Sequence, residues 1–112
     1  MKAGDLDHRL VPHEPVSTRD AVGGEVVNFL PRGKLFASKR DVSDAERVRA
    51  MQEGATITTR FQVRWSSLTA SISAGWRVKC DGVLYAVTGV KEIGRRVGRE
   101  ITATALADET GG

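Results

Sequence analysis

The sequence predicts a mainly β fold: a small barrel or sandwich of five to seven antiparallel strands, with one short helix in a long loop. Three observations predict it. Residues 55–65 alternate apolar and polar with a period of two over eleven positions. Asp81-Gly82, the pair preferred in a two-residue type I′ turn, sits between two short β-rich runs. Gly- and Pro-bearing turn signals recur along the chain at strand-length spacing. The 112 residues, 40% of them apolar, suit one domain over 1–112, because two cores would each be too small to stand alone.

Leu6 to Val16 alternates loosely, and Pro12 and Pro15 remove two amide donors, so a strand here is expected to lie at an edge or to end early. Ser17 to Asp20, followed by Gly23-Gly24, reads as a turn or loop. Glu25 to Leu30 reads as a strand; Pro31-Arg32-Gly33 interrupts it, and Lys34 to Ser38 resumes the extended pattern. The helix opens at Ser43-Asp44-Ala45-Glu46. There the Ser43 hydroxyl can accept from the Glu46 amide while Glu46 reaches back to the Ser43 amide. Ala45, Val48 and Met51 share one face, and Gly54 is a natural stop. About ten residues is marginal for an isolated helix, so this face is expected to lean on something.

Ala55 to Trp65 is the strongest strand, with Ile57, Thr59, Phe61, Val63 and Trp65 on the expected inner face and Arg60 and Arg64 on the outer one. Ser66 to Ala74 reads as a polar connection anchored by Leu68 and Ile72. In the hairpin that follows, the turn fixes the register: Cys80 faces Val83, Val78 faces Tyr85 and Trp76 faces Val87, all on one face. Arg77 and Lys79 fall on the other, which with Arg60 and Arg64 gives adjacent strands basic outer faces. Gly94 to Gly98 turns into a last strand over Glu100 to Leu106, and 107–112 reads as a frayed tail. Aromatics are only 5% of the chain, so Phe29, Phe36, Phe61, Trp65, Trp76 and Tyr85 are expected to dominate the core.

Charge and chemistry narrow the function more by exclusion than by motif. The formal charge is +3, from 17 basic and 14 acidic residues, which permits contact with DNA without arguing for it. The basic residues gather at Lys39-Arg40 and Arg47/Arg49 around the helix, and at Arg95, Arg96 and Arg99 around the last turn. Solvated charges that keep strand edges soluble would explain both groups, as would one group facing DNA. No aromatic residue is interleaved with them in sequence, so any such contact is expected to be backbone electrostatics rather than base stacking.

His8 and His13 are five apart in a segment broken by Pro12, a spacing that matches no helical pair and puts them on opposite strand faces, so no metal site is expected. Cys80 is the sole cysteine, which allows no intrachain disulfide and suits a reducing compartment; beside Val83 it reads as a half-buried filler rather than a nucleophile. The glycine pairs lack the strand–GxxxxGK[ST]–helix context of a phosphate loop. No reaction class assembles from these parts, so neither catalysis nor a cofactor is expected. The polar start, Met1-Lys2-Ala3-Gly4-Asp5, has no apolar core of a signal peptide, and no apolar run reaches the ~18 residues of a membrane span.

The order of features resembles a known family. Met1 to Leu10 looks like the amino-terminal signature of the tailed-phage head–tail joining proteins, also called head-closure or stopper connectors: a Gly-x-Leu-x-x-Arg-Leu-like start leading into a first strand. Asp20-Ala21-Val22-Gly23-Gly24-Glu25-Val26-Val27 resembles the next block, and Phe36-Ala37-Ser38 the aromatic-Ala-Ser motif before a variable loop. Thr59 to Trp65 resembles the arginine-bearing strand. Trp76-Arg77-Val78, Asp81-Gly82 and Tyr85-Ala86-Val87 resemble the carboxy-terminal hairpin. The likeness spans residues 4 to 106, with a stretch between Val27 and Phe36 shorter than the family's usual strand.

What the resemblance implies is a structural subunit of a homo-oligomeric ring between portal or adaptor and tail, retaining packaged DNA and docking the tail. Its partners would be the head-completion adaptor or portal above and the tail terminator or tail tube below, with non-specific double-stranded DNA in the channel. Its place would be the neck of a virion assembled in the bacterial cytoplasm, of a phage, prophage or gene transfer agent. The variable loop, here 39–54, would line or gate the channel, with Lys39, Arg40, Arg47 and Arg49 as the candidates to face DNA. A small basic β-barrel that binds nucleic acid as a monomer is the alternative. A third reading, an enzyme using His8, His13 and Cys80, has only those three residues behind it.

Overall fold

Alternation of side chains across a strand lets one face be apolar and the other wet, and a closed barrel turns every wet face outward. The computed structural model describes residues 3–106 and has this architecture. Seven strands run in the order β1 (His8–Arg19), β2 (Glu25–Pro31), β3 (Leu35–Asp41), β4 (Thr59–Arg64), β5 (Arg77–Cys80), β6 (Val83–Ile93) and β7 (Gly98–Ala105). Helix α1 (Asp44–Gln52) joins β3 to β4, and α2 (Ser67–Ser71) follows β4. All pairings are antiparallel, in the order β1-β3-β4-β7-β6-β5, and β5 returns to β1 to close a six-stranded barrel. β2 is the extra strand, attached to β1 alone. Among the described residues no helix is long and apolar enough to cross a membrane. The expected tail over 107–112 lies outside the described residues.

The inward face of each barrel strand is apolar. Leu10, Ala37, Phe61, Val63, Val78, Tyr85, Val87, Ile101 and Ala103 meet in one core, closed at the sides by Ile72, Trp76 and Cys80. Phe61 meets Tyr85 edge-on, with ring centroids 5.0 Å apart, a geometry that adds to the burial of both rings. Asp81-Gly82 pins the register. Both residues are left-handed, at φ 53° and 80°, as the type I′ turn requires. Cys80 pairs with Val83 and Val78 with Tyr85, and the Val87 amide donates to the Trp76 carbonyl at 2.8 Å. Val83, at the end of the turn, is exposed rather than on the buried face.

The elements differ from expectation in places that have local causes. β1 runs straight through both prolines instead of ending early. The N and C=O of a strand residue project to the same side. The Pro12 carbonyl accepts from the Arg32 amide at 2.8 Å, so its missing donor falls at the break between β2 and β3. By the same alternation the missing donor of Pro15 faces the open edge of β1, where nothing pairs. β4 begins only at Thr59, because residues 56–58 are held to β7 partly by threonine hydroxyls: Thr104 Oγ1 donates to the Thr56 carbonyl, and the Ala105 amide donates to Thr58 Oγ1 at 2.8 Å. β6 continues past Val87 to Ile93 through a bulge at Thr88, between the paired Val87 and Gly89.

The connection after β4 contains a helical turn that the sequence reading missed. Ser66 and Thr69 cap it reciprocally, each hydroxyl accepting from the other's amide at 2.8–3.1 Å, with Thr in the place that Glu or Gln usually fills. Only Phe61, Trp76 and Tyr85 of the six aromatics are buried, so the aromatics do not dominate the core as expected. Nor do β4 and β5 adjoin: β3 and β7 flank β4, and the proposed shared basic face of Arg60, Arg64, Arg77 and Lys79 does not form.

Candidate functional site

The loop between β3 and β4 is built from the bottom by its cap. Ser43 Oγ accepts from the Glu46 amide at 3.2 Å and Glu46 accepts from the Ser43 amide at 3.4 Å, as the capping box predicts. At the other end Gly54 is left-handed, at φ 82°. The Ala55 amide bonds to the Ala50 carbonyl at 2.8 Å and the Gly54 amide to Met51 at 3.0 Å, the paired bonds of a Schellman stop. The expected lean on the barrel is different in kind. α1 buries no residue; Val48 and Met51 are 54% and 63% exposed, so its apolar stripe faces outward uncovered. Ion pairs hold the helix instead. Glu46 accepts from the Arg60 guanidinium on β4 and lies 3.4 Å from Arg40 on β3. The Arg60 hydrogen bond, with the Ser43 amide behind it, holds the Glu46 carboxyl down at about 2.

Three of the four channel candidates sit together around this helix. Arg40 is exposed and bonded to Glu46, Arg47 is paired with Asp44 along the helix, and Arg49 is exposed without an ion-pair partner among the described residues. Lys39 is not with them. Opposite faces alternate along β3, so Lys39 pairs across from the buried Phe61 and Arg40 from Arg60. The Lys39 ammonium turns toward Tyr85 and lies 3.9 Å from the Asp81 carboxylate. Partial burial opposes its charge, but Tyr85 and Asp81 outweigh that and raise its pKa above the ordinary value.

The hairpin turn gathers a polar group that sequence spacing could not reveal. His8 Nδ1 lies 2.9 Å from Asp81 Oδ2, across 73 residues of chain. The donor atoms of His8, Cys80 and Asp81 all lie within 4.8 Å of one another. These are the residues that could hold a cation, yet the Lys39 ammonium already stands beside the carboxylate. The Cys80 thiol is pushed up to about 11, first by burial and then by the Asp81 charge. It is therefore neutral at physiological pH and a poor nucleophile. The group latches the start of β1 to the β5–β6 turn. His13 is elsewhere, with Nδ1 3.1 Å from the Val11 carbonyl.

Four further arginines are engaged in ways that the linear sequence hides. Arg99 reaches the carbonyls of Thr69, Ala70 and Ile72 at 2.8–3.1 Å, satisfying the C-terminal end of α2. Arg96 lies over the Trp65 ring at 5.0 Å, Arg77 over Phe29 at 4.0 Å and Arg9 beside Phe36 at 5.9 Å. Folding thus interleaves charges and aromatics that are far apart in sequence. Beside Phe36 a mostly apolar groove of about 320 Å³ is lined by Leu6, Leu35, Phe36, Val63, Arg64, Ser66 and Thr69.

A barrel of paired arginines, an uncovered loop helix and an outlying strand is a scaffold for contacts, and the comparisons agree with that. The model of the phage head completion proteins matches residues 1–106. The chain belongs to the phage head completion protein family. Membership gives it a structural role in the phage head, as a virion-associated protein in contact with other virion proteins. Its fold is similar to the solution structure of a Shigella flexneri 2a protein, with TM-score 0.76, 25% identity, and 97% of this chain and 100% of that chain covered. It also resembles a chain in the virion of a native gene transfer agent particle, with TM-score 0.54, 20% identity, and 88% and 92% covered, a likeness of fold. No curated protein matches the chain.

Proposed function

We propose that this head completion protein is a connector subunit of the stopper kind. It assembles with copies of itself into a ring between portal or adaptor and tail, retains packaged DNA and docks the tail. The observation that carries this reading is the family match, which spans residues 1–106 and so takes in every strand of the barrel. Two surface features support it. The loop helix presents Arg47 and Arg49, with Arg40 exposed at the end of β3 beside it, suited to non-specific contact with DNA backbone. The polar strand faces and open edges suit the heterologous contacts of a ring.

Particles made without this chain should package DNA, then lose it, and should carry no tails. Heads that keep their DNA and join tails in its absence would sink the proposal. Within it, charge reversal at Arg40, Arg47 and Arg49 should lower DNA retention while the ring still forms; unchanged retention and infectivity would remove the channel role of the loop. Salt-dependent binding of naked DNA by the isolated chain would favour the alternative, a monomeric nucleic-acid-binding barrel.

A further inference from the structure

β2 and the outer half of β1, residues 14–19, pair only with each other. They form a two-stranded arm beyond the closed barrel, with both outer edges unpaired. Such a ribbon is marginal in water by itself. Its residues alternate between two faces, and both faces are apolar in part: Val26 and Leu30 lie on one, Val27 on the other, all exposed, with Val22 at the tip 91% exposed. Within its own chain β2 half-buries only Phe29, beneath Arg77, and the exposed apolar side chains left on both faces have the pattern of an insert between two surfaces.

The same chain carries a fitting surface. The groove beside Phe36 has the buried Leu6 and Val63 as its floor and the exposed Phe36 as its wall. Its charges are of one sign: Arg64 lines it, and Arg9 lies against Phe36. Neither arginine is in an ion pair among the described residues, and no carboxylate lines the groove. The arm leans the other way: Asp20 and Glu25 stand against Arg19, while Glu14 is already paired with Arg32 at 2.8 Å. Asp20 and Glu25 meet only backbone amides and a serine hydroxyl in their own chain, so they remain free for a cation. Apolar residues matched to an apolar groove, and acidic groups to a basic rim, point to one occupant.

We infer that the β1–β2 arm of one copy lies in the Phe36 groove of the next copy, and that this contact joins the subunits of the ring; the inference rests on the ring proposed above. The contact pairs two different patches, so it propagates from copy to copy in one direction and closes when the rotation closes.

Cross-linking within assembled particles tests it. Ser66 lines the groove and Val26 lies on the arm, and the buried Cys80 is removed as Cys80→Ala so that only introduced thiols react. The chain carrying both Val26→Cys and Ser66→Cys, treated with a short bismaleimide, should give a ladder of covalent multimers. Chains carrying either substitution alone should give none. Adding Val22→Asp and Leu30→Asp to the doubly substituted chain should abolish the ladder and the assembly, while the purified chain melts within a few degrees of the parent. If the ring is intact by mass but the doubly substituted chain gives no ladder, or the arm thiol links to another virion protein, the arm-in-groove contact is wrong and the ring stands. If particles hold no multimer of this chain at all, the ring reading itself falls.

Discussion

Glu46 accepts from Arg60, Arg40 and the Ser43 amide at once, so one carboxylate joins the cap of α1 to β3 and β4. Its pKa falls from an ordinary 4.5 to about 2 on folding. A group depressed in this way contributes stability that is fully present above its unfolded pKa and is lost as pH falls through the folded one. Between about pH 5 and pH 2 the chain should therefore lose stability with a component traceable to this residue. Thermal melts of Glu46→Gln should be less stable than the parent at neutral pH and show a flatter decline across that window. An unchanged acid slope would mean that the ion pairs of Glu46 do not hold the loop. The cap was legible from Ser43 and Glu46 three residues apart; the Arg60 partner, fourteen residues on, was not, because only the pairing of β3 with β4 brings it near.

At the level of elements, the two helices contrast. α1 has a strong sequence signature and weak tertiary support, since its apolar stripe is uncovered. α2 has a weak signature, a five-residue turn capped by Ser66 and Thr69, yet it is tied in by Ile72 beneath and by Arg99 across its carboxyl end. Arg99→Ala should cost about 1.5–3 kcal/mol, the range for hydrogen bonds that involve a charged group. Urea unfolding of the isolated chain would measure it; a loss below about 0.5 kcal/mol, the level of an ordinary surface change, would show that α2 does not depend on the guanidinium. Sequence placed Arg99 among exposed basic residues because charge type is visible there and its acceptors, some thirty residues away, are not.

For the whole molecule, closure of the barrel is the decisive event. It gives β1 three neighbours along its length, tolerates Pro12 only at the break between β2 and β3, and leaves the arm outside. Core and arm should therefore respond differently to substitution. Phe61→Ala, at the centre of the core against Tyr85, should destabilise the chain by about 3–5 kcal/mol. Val26→Asp on the arm should stay within about 0.5 kcal/mol, because the side chain is already exposed. Urea titrations of the two variants would check both values. An arm substitution as costly as the core one would place the arm in the folding unit rather than outside it.

The sequence by itself determined the elements whose information is local. The Asp81-Gly82 turn with its register, the capping box of α1, the alternation of β4 and the break at Pro31-Arg32-Gly33 all follow from residues within a few positions of one another. A turn type, a cap and a period of two are properties of neighbours. Tertiary structure alone decided which strands adjoin, and with them every partner of the charged residues: Lys39 turned inward to Asp81 and Tyr85, Arg99 spent on α2, three arginines set against surface aromatics. It also decided that β2 stands outside the barrel, because a strand's pattern says that one face can be buried and never says against what.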